Sequence, residues 1–247
     1  GEVRGVVEAG HPVGAAAGRC HGPCMQELGR LGGTGIPGFL DSGAFEEMNF
    51  EVSPPAVKKL MTPQIWETVF TKYEYLAPRL GAQLYAVAPD RVGDQQVTLE
   101  RLAHYRDRVL ALGRQGVNVL VAMQGGGPGE LSLPAFHDAV NLVLRDPTGE
   151  LGDDWWLPAV PMASAATSVP EIRDYLSARP GDAIHYLGLG WLNDLRSEVI
   201  AVTEELAPGA QISMDSMRWA AIRGYLAHRR PRILTAQQAF HEQALLE

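Results

Sequence analysis

Apolar residues fall into two alternating patterns along this chain. Short runs rich in β-branched, aromatic and aliphatic residues stand at 3–7, 36–40, 83–88, 117–122, 156–161, 183–187, 211–214 and 232–234. Such runs, with few polar interruptions, predict strands buried on both faces. Between most of them lie longer segments whose apolar positions recur every three or four residues, the helical period. The clearest covers 62–80: Thr62 stands at the cap, Pro63 in the first turn, and Ile65, Trp66, Val69, Phe70 and Tyr73 share one face before Gly81. A second helix is predicted from a Thr98 cap through Leu99, Leu102, Tyr105, Val109 and Leu112 to Gly116. Ser168 and Glu171 have capping-box spacing at the start of another.

Eight strand candidates, mostly separated by helices, predict an α/β fold, and about 250 residues is the usual size of a (β/α)8 TIM barrel. One domain spanning 1–247 is expected. An open doubly wound sheet competes, but no G-x-G-x-x-G follows the first strand, and Gly188-Leu189-Gly190 lacks the third glycine. Residues 46–60 mix acids, prolines and lysines and read as an insertion after strand 2, suited to a lid.

Composition narrows the class. No apolar run is long enough for a transmembrane helix, and the first residues lack the apolar core of a signal peptide, so no membrane partner and a cytoplasmic location are expected. The net charge of −8 argues against a surface that is basic throughout. A local patch survives this test: Arg218, Arg223, Arg229, Arg230 and Arg232 fall in a stretch without acids, which reads either as a phosphate-binding surface or as a solvated helix face. Cys20 and Cys24 are the only cysteines. Cys20-His21-Gly22-Pro23-Cys24 invites a metal or redox reading, but two thiols fall short of a four-ligand zinc site unless His21 or His11 joins them, so they read first as reduced thiols near a helix start, and no metal or cofactor is assigned.

Polar side chains recur at one point of the repeating unit, just beyond the strand. Asp41-Ser42-Gly43 follows the second strand, Asp90 and Asp94 the third, Gln124-Gly125 the fourth, Gly188 and Gly190 the sixth, and Asp215 the seventh. In a barrel these positions converge on one mouth. A carboxylate in such a place either caps a turn or does chemistry. Two separated aspartates suit a nucleophile and an acid/base partner in glycosyl transfer. No H-x-H or H-E-x-x-H motif supports a metal-dependent hydrolase.

Asp41-Ser42-Gly43-Ala44-Phe45 resembles the Asp-Ser-Gly-Gly-Phe motif of the tRNA-guanine transglycosylases, which are (β/α)8 barrels. The resemblance continues in order. Asp90, or alternatively Asp94, stands where that family places a base-recognising aspartate. Val121-Ala122-Met123-Gln124-Gly125-Gly126 is similar to its Val-Gln-Gly-Gly segment. His185-Tyr186-Leu187-Gly188-Leu189-Gly190 is similar to its Tyr-Leu-Met-Gly-Val-Gly strand, and Met214-Asp215-Ser216 falls at its nucleophile. The family's Gly-Leu-Ala-Val-Gly-Glu loop, the Pro-Thr-Arg after its nucleophile and its C-terminal zinc subdomain have no counterpart here. That departure looks more like the zinc-free phage and bacterial transglycosylases that place 7-deazaguanines in DNA.

The resemblance implies that Asp215 attacks the anomeric carbon of a guanosine residue and Asp41 serves as acid/base. Ser42, Gly43, Phe45, Asp90 or Asp94, Gln124, Gly125, Gly188 and Gly190 would contact the base, and the arginines the phosphates. The implied partners are DNA, or RNA in its place, and a 7-deazaguanine of the preQ0 type. A nucleoside glycosidase acting on a small molecule is the alternative, and the oligomeric state stays open.

Overall fold

The computed structural model describes Val6, Glu8, Glu47 and residues 10–44, 60–125, 129–153, 155–162, 167–181, 183–189 and 193–214. Among the described residues seven strands form one sheet: β1 (Val13–Ala16), β2 (Gly38–Asp41), β3 (Leu84–Val87), β4 (Asn118–Ala122), β5 (Leu157–Pro161), β6 (Ala183–Leu187) and β7 (Gln211–Met214). Their order in the sheet is their order in the sequence, and every described pairing is parallel. The helices alternate with them: α1 (Gly22–Gly29), α2 (Pro63–Leu80), α3 (Gln95–His104), α4 (Arg106–Arg114), α5 (Leu133–Leu144), α6 (Val169–Ala178) and α7 (Asn193–Leu206).

The sheet is curled. Phe39 of β2 stacks on His185 of β6, with ring centroids 5.3 Å apart and planes 15° from parallel. Four strand spacings separate these strands, about 19 Å across a flat sheet. Only strong curvature brings the rings together. The two faces accordingly have separate cores. Leu84, Ala86, Val119, Val121, Val160, Ile184 and Tyr186 join the large core beneath the helices. The alternate residues Val87, Leu120 and Ala159 form an inner cluster with Phe39, Tyr85, Leu157 and Leu187. Gly14 of β1 belongs to this design: a Cβ there would stand 3.2 Å from Cδ1 of Phe39.

α2 anchors the outer core through Trp66, Val69, Phe70, Tyr73, Leu76, Ala77 and Leu80, all buried. Its Thr62 occupies the N-cap position but makes no side-chain capping bond. α6 has the expected capping box, in which Ser168 N–H donates to Glu171 at 2.7 Å and Ser168 Oγ accepts from Glu171 N–H.

Two expectations are corrected. Among the described residues the first strand is Val13–Ala16; of the run 3–7 only Val6 is described, and it is helical, as is Glu8. Small residues carry little periodic signal, yet they are what the inside of the curl admits beside Phe39. The helix expected from a Thr98 cap begins instead at Gln95. Asp94 caps it, its carboxylate accepting from Val97 N–H at 2.9 Å, and the chain breaks at Tyr105 into α3 and α4. Thr98 is buried within α3, where its hydroxyl donates to the Asp94 carbonyl at 2.8 Å. Most of the expected insertion at 46–60, and the strand and helices expected beyond β7, lie outside the described residues.

Candidate active site

Asp41 closes β2, and its alternation with Phe39 sets it on the inner face. The chain then turns through Gly43, whose φ of +85° is left-handed backbone that glycine adopts without strain. Within this turn Ser42 is buried and bridges two strand ends. Its hydroxyl donates to Asp90 Oδ1 at 3.2 Å, and its oxygen accepts from Ala44 N–H at 3.2 Å.

Asp90 lies three residues beyond β3 and is buried. Burial first, and then the negative charge of Asp41, push its pKa up to about 7; the Ser42 bond and the Arg101 charge resist. Tyr73 of α2 reports the same field: burial and then the charges of Asp41 and Asp90 raise its pKa well above the ordinary value. Its hydroxyl donates to the Val87 carbonyl at 2.8 Å, pinning the end of β3 to α2.

An ion pair between the buried Glu47 and the partly buried Arg101 braces Asp90. The two terminal nitrogens of Arg101 donate to the two carboxylate oxygens of Glu47 at 2.8 and 2.9 Å, and Arg101 also bonds the Asp90 carbonyl. Burial raises the Glu47 pKa, but the Arg101 bonds and charge, with Met61 N–H and Arg91, outweigh it and hold the carboxyl below its ordinary value. Sequence reasoning did not single out Arg101 or Glu47. A signal existed for Arg101, which lies at helical spacing from Thr98 and Tyr105 on the buried side of α3.

Gln124 is fully buried, and its carboxamide faces protein. Nε2 donates to the Arg91 carbonyl at 2.6 Å and to Thr98 at 3.1 Å, while Oε1 accepts from Gly93 N–H. Its donors and acceptor are therefore engaged in holding the loop after β3, a different task from the base contact expected of it. Asp94 likewise caps α3. Gly125 N–H donates to Thr167 Oγ1 at 3.1 Å, joining the β4 end to the loop before α6, and Gly188 turns the chain after β6 at a φ of +73°.

Asp41, Ser42 and Asp90 are thus brought into one electrostatic unit, with Gln124 supporting it through the Arg91–Gly93 loop. His185 lies inside the curl as well, its Nδ1 2.9 Å from Ser213 Oγ. Asp215, Phe45, Gly190, Arg218, Arg223, Arg229, Arg230 and Arg232 lie outside the described residues. Among the described residues no group of three or more His, Cys, Asp or Glu side chains is gathered for a metal ion. None of the described helices is long and apolar enough to cross a membrane.

No family model matches the chain, and no curated protein does. Among solved structures, a sugar phosphate isomerase/epimerase from Parabacteroides distasonis matches over 85% of this chain and 88% of its own, at 10% identity and a TM-score of 0.33. A likeness that slight says nothing of this chain's chemistry.

Proposed function

We propose that this protein is a base-exchange transglycosylase that replaces guanine in DNA with a 7-deazaguanine. The observation that supports the reading is the acid pair at the ends of β2 and β3, Asp41 with a buried Asp90 held near a pKa of about 7 beside it. Two carboxyls coupled in this way hold one proton between them below that value and begin to lose it at neutral pH. That one proton lets the pair donate as well as accept at the edge of a purine, and passed through Asp41 it can reach a departing base.

The remaining steps come from the family resemblance. An Asp215 carboxylate oxygen bonds to the anomeric carbon as the bond to guanine breaks, and the leaving nitrogen takes the acid pair's proton by way of Asp41. The incoming base gives its proton back to Asp41, attacks the same carbon and expels Asp215. Phe45 and Gly190 would border the base, and Arg218, Arg223, Arg229, Arg230 and Arg232 would meet phosphates. The target base would leave its stack to be reached. The same reading takes the curled sheet as part of a closed (β/α)8 barrel in a cytoplasmic enzyme, and RNA is the alternative polymer.

One observation favours a second reading, hydrolysis of a small nucleoside. The chain's charge of −8 repels a polyanion wherever basic residues do not intervene. Labelled guanine offered with DNA, tRNA or guanosine separates the two. Incorporation of label into DNA, lost in Asp215→Asn and Asp41→Asn proteins, is the expected result. Release of free base from guanosine without incorporation would establish the glycosidase, and inertness toward all three would sink both.

A further inference from the structure

A cavity of about 400 Å3 lies between the start of α2 and the middle of α3. Among the described residues its wall is largely apolar and aromatic, from Met61, Trp66, Val97 and Tyr105, with Arg101 and His104 as polar groups. That size, and a few polar groups in an apolar wall, are ordinary features of a small-molecule site. The rings are set close together. The Tyr105 centroid stands 6.0 Å from that of Trp66 and 4.6 Å from that of His104.

Two side chains of this wall have donors to spare. A guanidinium carries five N–H groups in one rigid plane. In Arg101 the two terminal nitrogens each give one to Glu47, and Nη1 gives its other to the Asp90 carbonyl. The Nε–H and the second N–H of Nη2 remain. They lie side by side along one edge, the spacing that matches the two oxygens of a carboxylate. The guanidinium carbon is 5.7 Å from the Trp66 ring centre, so a group held on that edge has an aromatic neighbour. Trp66 itself is 2% exposed, and its indole N–H is buried without an acceptor. Met61, unbranched and adaptable, lines the same wall and can yield to a ligand that reaches this N–H.

We propose that this cavity is a ligand site apart from the acid pair, that it takes a small flat carboxylate, and that its occupant acts on Asp90 through Arg101. The carboxylate sits on the unused edge of Arg101, its aromatic body lies among Trp66, His104 and Tyr105, and the Trp66 N–H gains an acceptor. A single negative charge suits the wall better than a phosphate dianion. Glu100 lines the same cavity, tied to Gln96 at 2.9 Å, and repels the second charge. The link to the acid pair is the guanidinium itself. An anion drawing on one edge of it disturbs the bond that another of its N–H groups makes to the Asp90 carbonyl. The inference stands whether or not base exchange is the reaction.

The test is calorimetric titration of the full chain with benzoate and naphthalene-2-carboxylate, beside naphthalene-2-carboxamide and cyclohexanecarboxylate as controls for charge and flatness. The aromatic acids should bind saturably and shift the Trp66 indole N–H resonance, and both controls should bind more weakly. Absence of saturable binding, or equal binding of either control, would overturn the proposal. Trp66→Phe and Arg101→Lys should each weaken binding about tenfold, the effect of one lost hydrogen bond at the strong end of its range. Val97→Trp fills the cavity while keeping both donors, and should abolish binding in a protein that unfolds like the parent. Undiminished affinity in that variant would place the ligand elsewhere. The Asp90 carboxyl resonance should move as the site fills, and a signal that stays still would sink the link through Arg101.

Discussion

Asp90 is almost wholly buried, next to an aspartate of its own sign. Its protonation therefore has a stability consequence. A carboxyl near 3.8 when unfolded and about 7 when folded binds more protons in the native state between those values. Native stability then falls as pH rises through that window, by up to about 4 kcal/mol from this residue. An Asp90→Asn protein lacks the effect. Denaturant unfolding at pH 5 and pH 8 should show the variant gaining on the parent as pH rises, and parallel curves would rule out the raised pKa. Arg101 gives a second test. Replacing it with alanine leaves the buried Glu47 with only Met61 N–H and the more distant Arg91, a loss of up to about 3 kcal/mol, the low end for breaking a buried pair. Because the Arg101 charge also lowers the Asp90 pKa, the same variant should titrate Asp90 at higher pH in a carboxyl-resolved NMR experiment.

At the scale of elements, the two neighbouring acids after β3 separate by task. Asp94 holds the first turn of α3, so Asp94→Ala should cost about 1 kcal/mol in unfolding experiments. If base exchange is the reaction, it should leave the exchange rate of the folded protein near that of the parent, whereas Asp90→Asn should lower it. A D94A protein that is fully stable but inactive would reverse the assignment. The sequence offered both acids and could not choose, because a cap and a ligand contact use the same side chain. Caps are legible where two residues act together, as at Ser168 and Glu171, and misplaced where Thr98 is weighed without Asp94 four residues earlier. β1 was missed for another reason. Its residues are small because Phe39 fills the space beside Gly14, a fact about β2 that no local window around residue 14 contains. The brace on Asp90 was hidden in the same way, since Glu47 and Arg101 meet from 54 positions apart.

For the whole molecule, alternation of strands and helices was plain in the chain, and with it the parallel order of the sheet. Curvature was an inference from size, and its physical mark is the contact between Phe39 and His185. That contact is open to measurement. Phe39→Ala should cost up to about 3 kcal/mol, the low end for a core aromatic, because Phe39 is only partly buried. A double-mutant cycle with His185→Ala should yield a coupling of about 0.5–1.5 kcal/mol, the range for a stacked ring pair. Strands this far apart in a flat sheet would show none.

Gln124 carries a consequence of its own. One carboxamide, rooted at the end of β4, clasps Arg91, Gly93 and Thr98 together. Prising that turn outward would sacrifice three bonds at once and leave an amide facing hydrocarbon, a penalty of several kcal/mol. The rim beside Asp90 is thus not a set of independent fingers. Neighbouring segments shift in concert or stay put, and a replacement at Gln124 would misalign the acid without ever meeting what binds there.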